Sequence, residues 1–162
     1  VQDRSTVITI SEHITERLTK LVSALEDPKG RDLLKKSRSE EEIRQAVENL
    51  PSIKRKLVMI EKGIDFWCWN GELIIIHGDK NEGGISSNGA LAAAHIMLAA
   101  ETLGLGACSL GYLTGFINKY QTIRDLIKIP SNHTVGYCLT MGYPDVKYKR
   151  IPARKQLRVQ WF

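Results

Sequence analysis

Residues 87–106 decide the fold of this chain, and they read SNGALAAAHIMLAAETLGLG. Between residues 90 and 103 the only formal charge is that of Glu101, and Gly104 marks the end of a helix. A helix that is apolar on most of its circumference must be buried on most of its circumference. We therefore predict a central helix, covered by a sheet on one side and by another body on the other. In a chain this short, that body could be a second subunit.

The overall composition is that of an ordinary globular protein. The chain has 162 residues, enough for one domain, of which 43% are hydrophobic and 25% are charged. No apolar run is long enough to span a bilayer and no signal-peptide pattern opens the sequence, so we expect a cytoplasmic protein with no membrane partner. Cys68, Cys108 and Cys138 form no Cys-x-x-Cys pair and no metal-ligand array, and reduced thiols are the default interpretation.

Positive charge is concentrated at the end of the chain. The net charge is +5, and six basic residues lie among the last sixteen: Lys147, Lys149, Arg150, Arg154, Lys155 and Arg158. Such a cluster suits phosphate, nucleic acid or an acidic lipid surface equally well. The segment has little aromatic interleaving before Trp161 and no RNA-binding motif, so we do not expect a nucleic-acid partner.

Residues 1–63 predict a charged, peripheral helical cover. Apolar residues spaced by three and four predict an amphipathic helix over 5–25, followed by a short helical turn at 31–36. A capping-box pattern at 39–42 begins a second helix. Pro51 interrupts that pattern, so we predict a separate third helix that ends at Gly63.

Residues 72–142 predict the core. A β-branched run at 73–77 predicts a strand buried on both faces, and with the central helix and a strand at 107–111 it forms a parallel unit with a right-handed crossover. A helix over 117–127 and a strand over 135–141 complete this part. The predicted class is α+β, a three-layer-like arrangement in which helices flank a central mixed sheet.

The remaining residues, 143–162, predict a basic C-terminal arm. The arm closes on an alternating, aromatic stretch at 157–162, which is typical of a strand that joins a sheet edge. We predict that this strand leaves its own subunit and packs on a partner. Taken together, the whole of 1–162 is predicted to be a single domain.

Two blocks of the sequence resemble the nitroreductase family. The first block is AAAHIMLAA at 92–100 with LGLGACSLGYL at 103–113. The second block is MGYP at 141–144 with KYKRIPARK at 147–155 and VQW at 159–161. The blocks stand in the right order at a plausible separation, which makes the pair much more specific than either alone. The sequence most resembles the branch that is often encoded behind a ferredoxin-like domain.

The resemblance implies a homodimeric, FMN-dependent oxidoreductase with the flavin at the subunit interface. Such a protein takes hydride from NAD(P)H, or electrons from a ferredoxin-like donor, and reduces a nitroaromatic, quinone or similar acceptor in a ping-pong cycle. The flavin carries the demanding chemistry, and the protein binds and orients it.

The resemblance also assigns cofactor-binding residues. Leu110 and Gly111 match the position where family members pass the backbone across the flavin, and a glycine allows close approach to the ring. Arg154 matches a basic residue on the FMN phosphate, with Arg150 and Lys155 as neighbouring candidates, because a guanidinium fork suits phosphate oxygens. The alternatives are a glycine placed for packing and a solvated basic segment.

The resemblance stops at the beginning of the sequence. Family members carry an Arg-rich segment and a Ser-x-x-Asn-x-Gln-Pro-Trp element before this point, and those segments supply much of the flavin site. The chain thus looks like the C-terminal two-thirds of a nitroreductase-like protein. The second hypothesis is a truncated dimer that binds flavin weakly or not at all and acts as a non-catalytic binding protein.

No Ser-His-Asp or Cys-His arrangement is evident, so the sequence assigns no catalytic side chain. Cys108 is interpreted as a small buried residue beside the flavin, and His95 as a core or interface histidine. Trp67 and Trp69 could stack on an aromatic acceptor or close part of a core. Two further histidines show no partner pattern in the sequence: His77 and His133.

Overall fold

The computed structural model describes residues 3–63, 71–146, 149–150 and 153–161. Within these ranges the chain forms six helices and three strands. In order they are α1 (Arg4–Glu26), α2 (Pro28–Leu34), α3 (Glu40–Glu61), β1 (Glu72–Asp79), α4 (Ile85–Thr102), β2 (Gly106–Ser109), α5 (Gly111–Lys119), α6 (Gln121–Leu126) and β3 (His133–Gly142).

The three strands form one sheet in the order β1-β3-β2, with β3 antiparallel to both neighbours. Glu72 lies opposite Met141 on one side of β3, and Ala107 lies opposite Met141 on the other. β1 and β2 therefore run in the same direction, as a crossover through α4 requires, but they do not pair. The mixed sheet was a wrong expectation for the described strands, because β3, the most buried of the three, takes the central position.

The layers confirm the α+β class. α4 packs against all three strands on one face of the sheet. On the other side α1, β1, α5 and β3 share one apolar core, which includes Ile10, Ile14, Leu73, Ile117 and Cys138 and none of the residues of α4. The sheet thus lies between α4 and the helical layer of α1 and α5.

α1 is a core helix, which corrects the prediction of a peripheral cover. Ile10, Ile14 and Leu25 are completely buried on its inner face. Asp3 caps its beginning by accepting the backbone N–H groups of Ser5 and Thr6, the arrangement that satisfies free amides at a helix start. The amphipathic spacing predicted this helix within one residue at either end, but not the depth of its burial.

α3 is the peripheral helix of this region, since none of its residues is fully buried. The predicted capping box is present, with Ser39 and Glu42 each accepting the other's backbone N–H. The predicted break is absent, because one helix runs through Pro51. Pro51 is exposed, so solvent can replace the hydrogen bond that the proline cannot donate.

α4 ends as its sequence predicts, at a glycine in the left-handed region. Gly104 has φ 72°, its N–H donates to the Glu101 carbonyl, and the Leu105 N–H donates to the Ala100 carbonyl. These two bonds define the Schellman arrangement that stops a helix. The turn directs the chain from α4 straight into β2.

Only one face of α4 is buried within the chain, the face toward the sheet, and the predicted cover of its opposite face by a second subunit stays a prediction. Gly89, Ala93 and Ala100 face the sheet and are buried. Leu91 and Leu98, on the opposite face, are 61% and 69% exposed. An apolar face of this kind is what a partner molecule covers.

Other element boundaries also differ from the sequence prediction. β1 is an edge strand in which only Leu73 is fully buried, rather than a strand buried on both faces. The helix predicted over 117–127 is two helices, α5 and α6, because Tyr120 adopts an extended conformation between them. Residues 153–161 are exposed and have no regular structure, so the predicted terminal strand does not form within the described part of the arm.

None of the helices in the described ranges is both long enough and apolar enough to cross a membrane.

Candidate functional site

The candidate site begins where β2 passes into α5. Leu110 is 1% exposed, and its backbone N–H donates to the Cys138 carbonyl at 2.9 Å, which extends the pairing of β2 with β3 by one residue. The Leu110 carbonyl then accepts the N–H of Leu113 at 2.9 Å in the first turn of α5. The N–H and the carbonyl of Leu110 are therefore both hydrogen-bonded, and these two bonds fix the position of the next residue, Gly111.

Gly111 is the first residue of α5 and not the end of a strand, which corrects the sequence prediction for the 107–111 segment. It is exposed, and a Cβ atom built on it would have no protein atom within 4 Å. No side chain caps the start of α5. The free amides of a helix start carry partial positive charge, so this position offers both space and a donor edge to an electron-rich planar group.

Ser109 and Tyr137 form a polar pair beside this junction. Their hydroxyl oxygens are 2.7 Å apart. Ser109 lies opposite Leu139, so Tyr137 is its diagonal neighbour on β3. The sequence analysis missed this pair, because only the register of β2 against β3 brings together residues that are 28 positions apart.

The two described cysteines differ in environment. Cys138 is buried in the core, and burial raises the pKa of its thiol to about 11, although a hydrogen bond with Thr114 opposes part of that rise. The thiol is therefore protonated at neutral pH. Cys108 is exposed, so its interpretation as a buried residue was wrong. It lies on β2, an edge strand of the sheet with no fully buried residue.

His77 and His133 form a pair that the sequence did not reveal. Their Nδ1 atoms are 2.7 Å apart and their ring centroids 4.9 Å apart. The pKa of His77 is lowered mainly by burial, and the charges of His133 and Arg124 lower it further. The pair lies where the end of β1 meets the beginning of β3, so antiparallel pairing alone brings the two rings together.

His95 lies on the outward face of α4, where its Nδ1 atom is 2.8 Å from the Leu91 carbonyl oxygen. It is exposed, which rules out a core histidine within the chain. The interface role for His95 stays a prediction.

The basic arm supplies the other predicted binding residues. Arg150, Arg154 and Lys155 are exposed, and no hydrogen bond or ion pair joins them to other described residues. Their assignment to a phosphate, like that of Leu110 and Gly111 to a flavin ring, stays a prediction. Trp67 and Trp69 lie outside the described residues.

The sequence identifies the family. The sequence model of the nitroreductase family matches residues 4–143, which is most of the chain. The chain therefore belongs to the nitroreductase family. A comparison with curated proteins found no match.

The solved structures that are similar to the chain include two nitroreductases. One is an FMN-dependent nitroreductase from Clostridium difficile R20291, with 27% identity, a TM-score of 0.44, and coverage of 61% of this chain and 63% of that protein. The other is a nitroreductase with bound FMN from Bacteroides fragilis NCTC 9343, with 19% identity, a TM-score of 0.46, and coverage of 90% of this chain and 70% of that protein. The chain thus spans less than two thirds of the length of the Clostridium protein.

Proposed function

We propose that this chain works in an FMN-dependent oxidoreductase of the nitroreductase type. Its membership of the nitroreductase family over residues 4–143 is the observation that supports this function. The electron donor is NAD(P)H or a ferredoxin-like protein, and the acceptor is a nitroaromatic, a quinone or a similar small aromatic molecule. Bound FMN supplies the redox chemistry, accepting electrons in one half-reaction and passing them on in the next.

The β2–α5 junction is the proposed seat of the flavin ring. Leu110 is anchored by two backbone hydrogen bonds, so its neighbour Gly111 stands at a fixed place. Gly111 has open space where a side chain would lie, and the α5 amide groups begin there without a capping side chain. These features fit a planar group with an electron-rich edge, with the chain holding and orienting the ring through its backbone.

The basic arm is the proposed phosphate-binding element. Arg154, supported by Arg150 and Lys155, is exposed and free of ion pairs with other described residues. A guanidinium group in this state can bind phosphate oxygens without first breaking an internal salt bridge. We predict that the end of this arm packs on a partner subunit, and in that arrangement the phosphate and the ring need not be bound by the same copy.

The proposed functional unit is a homodimer built on the outer face of α4. Leu91, His95 and Leu98 lie one turn apart on that face and are exposed in the single chain. A second copy that covers this face would remove its apolar surface from water. The family's flavin position at a subunit interface is compatible with this arrangement, since α4 leads directly into β2 and the β2–α5 junction.

A titration with FMN tests the proposal. We expect the purified chain to be yellow or to quench FMN fluorescence in a saturable way, and the bound flavin to bleach under anaerobic conditions with NAD(P)H or a reduced ferredoxin. Arg154→Ala should raise the Kd for FMN by about tenfold, as expected for loss of a charge-assisted contact. Arg158→Ala, on the same arm, is the matched control and should leave the Kd unchanged.

The second hypothesis makes the opposite prediction in the same titration. A dimer that acts only as a binding protein takes up FMN weakly or not at all and shows no bleaching with any donor. A colourless protein that does not quench FMN fluorescence would contradict the oxidoreductase proposal for this chain. An unchanged Kd for Arg154→Ala in a chain that does bind FMN would contradict only the phosphate assignment.

A further inference from the structure

A cleft of about 280 Å³ opens between α1 and α5, apart from the residues assigned to the flavin. Its lining has an unusual composition, three cations and three aromatic rings: Arg17, Arg38, Lys119, Tyr112, Phe116 and Tyr120. No carboxylate belongs to the lining among the described residues. The volume is near the lower end of the range for small-molecule pockets, which suits a ligand of one or two rings.

The aromatic wall of the cleft is held in place by the core. Phe116 and Tyr120 are stacked, with ring centroids 5.8 Å apart and ring planes inclined by 29°. Both are half-buried and, with Tyr112, pack against the apolar core cluster. The rings are therefore held in a fixed position at the wall of the cleft, where they offer apolar surface to a bound aromatic group.

The cations come from three separate elements. Arg17 is on α1, Arg38 is in the connection before α3, and Lys119 is at the end of α5. The Arg17 guanidinium lies over the Tyr120 ring, 4.9 Å from its centroid. Within the described part of the chain none of the three forms an ion pair or a hydrogen bond to a carboxylate.

Two carboxylates that interact electrostatically with these cations have other partners. The charges of Lys119 and Arg38 help to lower the pKa of Glu42. The main cause of that lowered pKa is its hydrogen bonding with Ser39 in the capping box. Glu16 feels Arg17, but it pairs with Lys20. Three cations thus face two carboxylates that are already occupied, which leaves the cleft positive.

We propose that this cleft binds a small planar aromatic anion, such as an arene carboxylate. The ring of the ligand packs against the aromatic wall beside Arg17, which already covers part of the Tyr120 ring, and its anionic group lies among Arg17, Arg38 and Lys119. A ligand of this class matches both parts of the lining. A neutral aromatic ligand would leave the cations without an anionic partner, and an inorganic anion would leave the aromatic side chains without a contact. The site is separate from the proposed flavin function and does not depend on it.

Calorimetric titration of the full chain with 2-naphthoate tests this site. The probe is an aromatic anion without a reducible group, and its neutral analogue 2-naphthylmethanol has the same ring. We expect the neutral analogue to bind at least about tenfold more weakly, and the affinity for 2-naphthoate to fall as salt is raised. Both titrations are carried out with and without saturating FMN. If the Kd for 2-naphthoate is the same under the two conditions, the ligand binds outside the flavin site.

Variants locate the binding within the cleft. Arg38→Gln and Lys119→Gln should each raise the Kd about threefold, and the double variant about tenfold, as solvent-open charge pairs do. Lys36→Gln replaces an exposed cation that does not line the cleft, and as the matched control it should have no effect. Thermal unfolding of each variant checks that the fold is retained, which these exposed or half-exposed side chains should permit.

Each of the following outcomes overturns the proposal. They are no detectable binding of 2-naphthoate at millimolar concentration, equal binding of the neutral analogue, inorganic phosphate binding as tightly as 2-naphthoate, and unchanged affinity in the double variant. A double variant that instead changes the sedimentation of the protein would assign the cleft to contact between copies of the chain, and that also overturns ligand binding.

Discussion

Gly111 is the residue at which the backbone geometry and the proposed chemistry meet. It begins α5, faces open space and follows a residue whose backbone is held by the sheet. The family resemblance pointed to this position, but the sequence alone suggested the end of a strand. Only the structure shows that it is a helix start, with amide groups available to a bound molecule.

Gly111→Ala should weaken FMN binding without weakening the fold. The added methyl group meets no protein atom within 4 Å, so stability should be unchanged or slightly higher. The same methyl group would enter the space proposed for the ring and raise the Kd for FMN about tenfold. The measurement is fluorescence titration beside thermal unfolding, with Gly83→Ala, also facing open space, as control. Full FMN affinity in Gly111→Ala would move the ring away from this junction.

The pair of His77 and His133 predicts a pH dependence of stability. A hydrogen bond between the two Nδ1 atoms needs one donor and one acceptor, so at least one ring must be neutral. The pKa of His77 in the folded chain is below its ordinary value of 6.5, because of burial and of the nearby His133 and Arg124. Below about pH 6.5 the unfolded chain therefore binds more protons than the folded chain. The contribution of His77 to the free energy of unfolding is complete above that pH and decreases as the pH is lowered.

Urea unfolding at about pH 7.5 and about pH 5.5 measures this loss. His77→Gln should show a smaller fall in the free energy of unfolding between these two values than the unmodified chain, because the group with the lowered pKa is gone. His13→Gln replaces a histidine outside the pair and should keep the original dependence. Equal falls for His77→Gln and the unmodified chain would show that the pair does not titrate as described.

At the scale of elements, the site depends on how closely α4 approaches β3. A Cβ on Gly89 would lie 2.9 Å from the Gly136 carbonyl carbon, and a Cβ on Gly136 would clash with the Ile85 carbonyl oxygen. Gly136 is also the additional residue at a bulge, since Ile76 pairs with Tyr137 and His77 with Val135. Two facing glycines thus allow helix and strand backbones to touch.

Gly136→Ala should therefore destabilise the chain by about 1–3 kcal/mol, the usual cost of overpacking a tight contact. The atom it meets most closely is the Ile85 carbonyl oxygen, a backbone atom that cannot rotate away. Chemical denaturation measures the change, and Gly83→Ala, which meets no neighbour, should differ from the unmodified chain by less than about 0.5 kcal/mol. A neutral Gly136→Ala would mean that α4 can shift on the sheet without cost.

Element boundaries show how far local patterns reach. The sequence predicted α1, the capping box before α3, and the glycine stops after α3 and α4, because each rests on hydrogen bonds within a few residues. It failed where a local signal was overridden. Pro51 did not end α3, since that part of the helix is exposed, and Tyr120 divided a predicted helix although nothing in its residue type requires an extended conformation.

At the scale of the whole molecule, the exposed apolar face of α4 predicts association. We expect the chain to sediment as a dimer at micromolar concentration. Leu98→Glu should weaken that dimer by more than about a hundredfold, because an unpaired charge would be buried at the contact. Leu33→Glu replaces a leucine of similar exposure on α2 and should leave the dimer intact. A monomer in the unmodified chain would overturn both the interface and a flavin site shared between subunits.

The sequence by itself determined the family, the α+β class, the ends of α1 and α3, and the glycine stop of α4. These features depend on side-chain spacing, on capping groups and on glycine conformation, all of which act over a few residues. Only the tertiary structure decided the strand order, the pairing of His77 with His133, the Ser109–Tyr137 contact and the convergence of cations on the aromatic cleft. Each of these joins parts of the chain that are far apart in sequence, 56 residues for the histidines and 28 for the hydroxyl pair. The central helix α4 illustrates both cases. Its composition predicts a partner on each face, and only the packing shows which face the chain itself covers.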